Sequence, residues 1–427
     1  MGPCVQLAAT VTALAVCFQA VTQVPAVPAG QFYAEYIAPL DAKTNNSPDR
    51  IRANDPEISL HPKLAAHPAA GANGLLLVNV DEDLSQIDRA ELYLELWGGH
   101  PGTANKRFFL NGKGPYAIPE VGTADKHCTY SYPTIPLIVS HLVPGLNSIQ
   151  FTCDKGSSFW GHFIIDYAAV RCYLKPEHPA ITETGLTNFN ANITTGRDGG
   201  GRGAKEPLCI TCDPKFADRI LSVDYLAKYQ GFDDNGDGID VDFHGFTQKG
   251  KYINHLGSSS EAPQFAVELS GLIVPDAENV MLKAIVRLKG GLSYIAESTD
   301  PRRLRLQCRQ VRIFKCSSIP APFWSRAGKE VKAQINLPDN IAEANRVRLM
   351  IKVWDGGEGS IKHPFKINGH PYKITSGKAC HNVVFTVADI DIAHLKPGEN
   401  EITLLSDTEH HGIEVLLPGP VILACWP

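Results

Sequence analysis

The segment GFDDNGDGIDVDFHGFTQKGKYINHLG, Gly231–Gly257, gathers the densest set of acid–base and metal-binding side chains in the 427-residue chain. Asp233, Asn235 and Asp237 stand at alternate positions, and Gly238 follows. Calcium takes six to eight hard oxygens, and a D-x-N-x-D-G run supplies three around a sharp turn. With the Ile239 carbonyl and Asp240 added, these residues form the expected ligand set for a structural Ca2+ ion. An EF-hand needs glutamate at the twelfth position, where His244 stands, so the pattern is the shorter DxDxDG type. The competing reading is an Asx-rich turn whose side chains cap their own backbone.

Asp242, His244, Tyr252, His255 and Glu261 are the candidate catalytic groups. Two carboxyl groups flanking a bond would make a glycoside hydrolase. A tyrosine or histidine base with a charge neutraliser would make a polysaccharide lyase. A second pair, His410 and His411, lies in TEHHGIEVLLPGP. Adjacent residues of an extended chain point to opposite faces, so the pair is a poor chelate, but one of them with Glu414 can face a ligand. The corresponding segment KGSSFWGHF supplies Phe159, Trp160 and His162, and aromatic faces on such a loop suit the apolar side of a sugar ring. Burial of Trp160 in a core is the other reading. No G-x-S-x-G, Walker loop, dinucleotide fingerprint or H-E-x-x-H is present, which argues against an α/β hydrolase, a nucleotide enzyme and a zincin.

The elements that must position these residues are strands. AELYLELWGGHPGTANKRFFLNGK (Ala90–Lys113) is similar to RVRLMIKVWDGGEGSIKHPFKINGH (Arg346–His370), and each tryptophan, Trp97 or Trp354, precedes an Asn-Gly pair by fourteen positions. HLVPGLNSIQFTC (His141–Cys153) likewise matches HLKPGENEITLLS (His394–Ser406), and Gly145 and Gly398 each lie 27 residues before a cysteine. One domain is used twice. Val347, Leu349, Ile351 and Val353 alternate with Arg346, Arg348, Met350 and Lys352, the pattern of a half-buried strand. The Asn-Gly pairs predict tight hairpins.

This order of strands and turns resembles the galactose-binding-like jelly-roll sandwich of many carbohydrate-binding modules, over roughly 55–175 and 325–427. The strands of 208–320 resemble an immunoglobulin- or fibronectin-III-like sandwich. The expected fold is all-β: an N-terminal jelly roll at 30–190, a Gly-rich linker at 194–207, a central domain at 208–320 and a C-terminal jelly roll at 321–427. The resemblance implies carbohydrate as partner.

An apolar stretch at Val5–Val21 reads as a secretory signal, 1–26, with cleavage after Ala20 or Ala26; a membrane anchor is disfavoured because Gln19 and Gln23 interrupt the run. No other stretch is long enough to span a bilayer. Asn45 and Asn192 head glycosylation sequons, although Pro48 makes the first a poor acceptor. Matching places in the two copies predict disulfides Cys128–Cys172 and Cys380–Cys425. Cys209 and Cys212 are expected to pair with Cys308 and Cys316, with a zinc site as the alternative and Cys153 left over. A net charge of −5 gives no basic field for nucleic acid. The expected function is a secreted carbohydrate-binding or adhesion protein. The alternative is a carbohydrate-active enzyme, hydrolase or lyase, using the central loop.

Overall fold

A computed structural model describes residues 30–40, 50–53, 74–99, 103–119, 127–154, 162–195, 207–269, 274–275, 279–298, 304 and 310–427. The expected signal segment, Asn45, most of the linker, Phe159, Trp160 and Cys308 lie outside these residues. Among the described residues the chain is nearly all antiparallel β-strand, and no helix is long and apolar enough to cross a membrane.

Alternation sets the strands. In Arg346–Gly356, Val347, Leu349, Ile351 and Val353 enter the C-terminal core with Ile335, Phe365, Ile402 and Ile422. Each such burial contributes about 1.5–3 kcal/mol. In Ile87–Trp97, Leu92, Leu94 and Leu96 do the same in the N-terminal core, against Val78, Phe108, Ile149 and Val170. Here the opposite side is buried too: Glu91, Tyr93, Glu95 and Trp97 are all shielded from solvent. The hairpin of Phe246–Gln248 and Lys251–Asn254 explains part of this. The main-chain N–H groups of Lys249 and Gly250 donate to the Glu95 carboxylate, and Tyr93 Oη bonds Thr247 Oγ1 at 2.6 Å.

The first and central regions share one sheet. Gln31–Ile37 pairs with Phe163–Leu174 on one side and with Leu292–Glu297 on the other. The sheet runs on through Met281–Leu288 and Ile220–Gln230 to Val241–His244, the strand that ends the acidic loop.

The sequence repeat extends to single hydrogen bonds. Asn111 donates from Nδ2 to Asn147 Oδ1 at 2.8 Å and to the His141 carbonyl at 2.9 Å. Asn368 makes the same bonds to Asn400 at 2.7 Å and His394 at 2.9 Å. Tyr116 and Tyr372 hold the two histidine rings at 2.6 and 2.7 Å. The central region shares one further device with both copies. An eleven-residue strand follows a short 3-10 turn three times: Leu84–Gln86 before Ile87–Trp97, Pro214–Arg219 before Ile220–Gln230, and Ile341–Glu343 before Arg346–Gly356.

The expected disulfides are corrected. Cys128, Cys172 and Cys380 carry free thiols. Cys172 lies opposite Ala90, whereas Tyr130, two residues after Cys128, lies opposite Trp97 at the other end of the same strand. Seven residues of strand span about 23 Å, against the few ångströms a disulfide allows. Cys425 lies opposite Arg346, and Asn382, two residues after Cys380, lies opposite Asp355, so that pair is about 30 Å apart. The repeat placed both pairs alike because equal spacing in sequence marks equivalent positions, not neighbours. Cys425 is disulfide-bonded to a residue outside the described set. Cys209, Cys212 and Cys316 also carry free thiols, so the expected pairing of Cys209 and Cys212 with Cys308 and Cys316 does not form.

Candidate functional site

The acidic loop is built from its own backbone outward. Asp233 Oδ1 accepts the N–H groups of Gly236 and Asp237, and its Oδ2 accepts that of Gly238. Asp237 Oδ1 accepts the Ile239 N–H at 2.8 Å. Asn235 turns its amide nitrogen between Asp237 Oδ2, at 3.2 Å, and Asp242 Oδ2, at 2.8 Å. Asp240 faces away, to Lys315 Nζ at 2.7 Å. Burial pushes the Asp237 carboxyl up to about 6, helped by the charges of Asp242 and Asp233. Such crowding suits a cation in charge. The Asn235 amide nitrogen lies between the Asp237 and Asp242 carboxylates, and among the described residues no three His, Cys, Asp or Glu side chains converge as metal ligands.

The loop is a three-way junction. Its Asn235 carbonyl accepts from Tyr132 N–H of the N-terminal region, and Asp234 accepts through its carbonyl from Lys352 Nζ of the C-terminal region. A cavity of about 220 Å³ lies between Thr129, Tyr130, Asp233, Gly236, Leu417 and Pro418.

The five candidate catalytic residues separate into different environments. His244 points Nδ1 to Asp234 Oδ1 at 3.1 Å and Nε2 to the Tyr229 carbonyl at 3.0 Å. Burial opposes its charge, yet the Asp234 bond carries the imidazole above its ordinary value. Two acceptors leave no ring nitrogen for a substrate. Asp242 is held by Asn235 and by the Phe243 N–H. Tyr252 and His255 do meet, with rings 5.4 Å apart. His255 Nε2 lies 2.7 Å from Ser258 Oγ, and Ser258 gives its proton to Asp224 Oδ1 at 2.5 Å. A serine that donates to the carboxylate is not activated by the histidine. Burial raises the Tyr252 phenol, which keeps it protonated. Glu261 is exposed on a turn beyond Ser259, whose strand partner Val223 is four residues, about 13 Å, from the partner of His244. His244 and His255 share only a crevice of about 40 Å³, closed by Tyr229, Arg348 and Met350.

The second predicted group is at the surface. His411 is exposed, and its Nδ1 lies 2.9 Å from Nε2 of His381, also exposed. The Trp354 indole stands edge-on to both rings, at 5.7 Å from His411 and 5.9 Å from His381. Trp324 donates from Nε1 to the His411 carbonyl at 2.6 Å and carries the Arg326 guanidinium 4.2 Å over its ring. His410 is exposed beside them. Glu414 is not: it is buried against Cys128, and burial pushes its carboxyl up to about 7. His162 is buried too, against Trp97. Neither reaches a surface ligand. Asn192 is exposed at the start of Asn192–Thr195. Sequence reasoning missed His381 and Trp324, which come from segments 30 and 87 residues away from His411. Only strand pairing brings them together, and the one local signal is left-handed backbone at His381, invisible without coordinates.

No family model matches this sequence, and no curated protein matches it. Among solved structures, the chain is similar to a β-porphyranase of glycoside hydrolase family 86 from Bacteroides plebeius, at 12% identity and TM-score 0.24, over 55% of this chain and 36% of that one. It is also similar to an exo-β-1,3-galactanase from Phanerochaete chrysosporium, at 11% identity and TM-score 0.17, over 75% and 78% of the two chains. The ANX1 ectodomain from Arabidopsis thaliana matches at 8% identity and TM-score 0.18, over 83% and 82%. The chain spans about a third of the length of the porphyranase. No site residue is assigned from these likenesses.

Proposed function

We propose that the protein is a secreted carbohydrate-binding or adhesion protein that holds its ligand on the imidazole–indole face of the C-terminal region. The observation that carries this reading is the grouping of Trp324, Trp354, His381 and His411 on one surface, with Arg326 and His410 adjoining. Aromatic faces take the apolar side of a sugar ring, and convergent N–H donors take its hydroxyls. The candidate catalytic histidines of the central region share a crevice of only about 40 Å³, and their polar atoms are already bonded. That favours recognition over turnover. Export rests on the apolar segment at Val5–Val21 and the two sequons.

The test measures retention on immobilised polysaccharides beside release of shorter chains. Wild type is expected to be retained and to release nothing. Trp324→Ala and His411→Ala should each weaken retention about tenfold, in the range of a lost aromatic anchor, with an unchanged melting temperature. Release of short chains that His255→Ala abolishes would transfer the function to a hydrolase or lyase. No retention on any polysaccharide would overturn the proposal.

A further inference from the structure

His381 is held in a conformation that its residue type disfavours. Its φ is +50°, in the left-handed region that non-glycine residues rarely adopt. The backbone on both sides of its Cα is tied down: its N–H donates to the Asp355 carbonyl at 2.8 Å, and its carbonyl accepts from Arg50 Nη1 at 3.3 Å. Arg50 belongs to the N-terminal region and is itself clamped by Asp166. His411 is fixed as firmly. Its carbonyl accepts from Trp324, and Gly412 after it passes so near Ser325 that a Cβ would lie 2.0 Å from the Ser325 carbonyl oxygen. Strain that the surroundings hold in place is characteristic of ligand-holding positions.

What these constraints deliver is a pair of imidazole nitrogens, His381 Nε2 and His411 Nδ1, 2.9 Å apart with ring planes at 84°. Nitrogens bound to one metal ion at about 2.0–2.1 Å, with an angle of about 90–109° between the bonds, lie about 2.8–3.4 Å apart. The separation, held here by a ring N–H donated from one imidazole to the other, matches one edge of a coordination polyhedron, and the ion would take the place of that shared proton. The geometry points to a two-histidine site for a divalent transition-metal ion, with His381 Nε2 and His411 Nδ1 as its protein ligands. Imidazole selects copper, nickel or zinc over calcium or magnesium, which want oxygen. Among the described residues no third His, Cys, Asp or Glu completes the set, so the remaining positions are open to water or to a ligand oxygen. The neighbouring thiol does not join: Cys380 Sγ is directed to Asp355. This inference stands on the imidazole pair and not on the carbohydrate reading.

The experiment titrates ZnCl2 and CuCl2 separately into the full chain, free of any histidine tag, by calorimetry. One ion per chain is expected, with copper tighter than zinc. His381→Gln and His411→Gln should each weaken binding by about tenfold or more, and His410→Gln by less than about threefold, because losing one of two ligands costs far more than losing a neighbour. All three side chains are exposed, so the melting temperature should not move. Copper bound by wild type should show two coupled nitrogens in its electron paramagnetic resonance spectrum. The absence of saturable binding, or binding that survives the His381→Gln/His411→Gln double substitution, would overturn the site.

Discussion

Lys352, on the long strand of the C-terminal region, donates from Nζ to the Asp234 carbonyl at 2.8 Å and to the Tyr130 carbonyl at 2.9 Å. One buried ammonium thus ties together all three regions at the acidic loop. Burial lowers its pKa to about 8, against the raising effect of Asp234 and Asp233. The loop is a structural joint whose acidic side chains are met by main-chain N–H groups and by Asn235, His244 and Lys315.

The first prediction follows from Asn235. Its amide separates Asp237 from Asp242, so Asn235→Ala leaves two carboxylates facing each other. We expect a loss of about 1–3 kcal/mol, the cost of an unsatisfied buried partner, read from denaturant midpoints. Chelator should leave the wild-type melting temperature unchanged. A rise in melting temperature with calcium that Asp237→Ala removes would show that the loop holds the ion, since an ion bound only by the folded state stabilises it.

Glu414 gives a pH prediction. Its carboxyl is raised from 4.5 to about 7 by burial, with Cys128 partly offsetting the shift, and its Oε1 has no hydrogen-bond partner. A raised acid keeps its proton in the folded state after the unfolded chain has released its own. Between about pH 4.5 and 7 the folded state binds more protons, so stability falls as pH rises through this window. The shift corresponds to about 3 kcal/mol. Glu414→Gln should match wild type near pH 4.5 and exceed it at pH 7.5. Equal pH dependence of the two proteins would show that Glu414 ionises freely.

Thiol reactivity tests the corrected cysteine assignments. Cys380 is exposed and free, so it should be alkylated in the native protein. Cys128 and Cys172 are buried, and burial raises Cys172 to about 12, so both should react only after unfolding. Cys425 is disulfide-bonded, so it should stay unreactive even in the unfolded chain until reductant is added. Alkylation of Cys425 in unfolded, unreduced protein would reject that bond.

The strands and turns were legible because their signals are local. Alternation in RVRLMIKVW and the two Asn-Gly pairs need no partner to be recognised, and both took the expected form. The site was legible only in part. His410 and His411 announced themselves by type, but His381 and Trp324 reach them across strand pairings that no local pattern encodes. The burial of Glu95 and Tyr93 is not legible in the sequence, because alternation reports one sheet's own core and not a hairpin laid on its other face. The acidic loop is legible only as a turn of alternating acids. Alternating aspartates look identical whether their oxygens face an ion or their own backbone.

The duplication supplies a paired experiment. Asn111 and Asn368 have φ of 51° and 50°, and each receives a main-chain N–H on Oδ1, from Ser148 and Glu401. Each also donates to a fully buried asparagine, Asn147 or Asn400. Replacement by alanine costs about 1–2 kcal/mol for left-handed backbone and about 1–3 kcal/mol for the partner left unsatisfied. Replacement by glycine incurs only the second cost, because glycine adopts that backbone freely. Asn368→Ala should therefore destabilise by about 2–5 kcal/mol and Asn368→Gly by clearly less, with the same ordering at Asn111. Denaturant unfolding of the four variants measures this. Equal losses for alanine and glycine would mean that the side-chain bonds, and not the backbone, set the turn; unequal ordering between the two copies would mean that their shared hydrogen-bond pattern does not carry shared energetics.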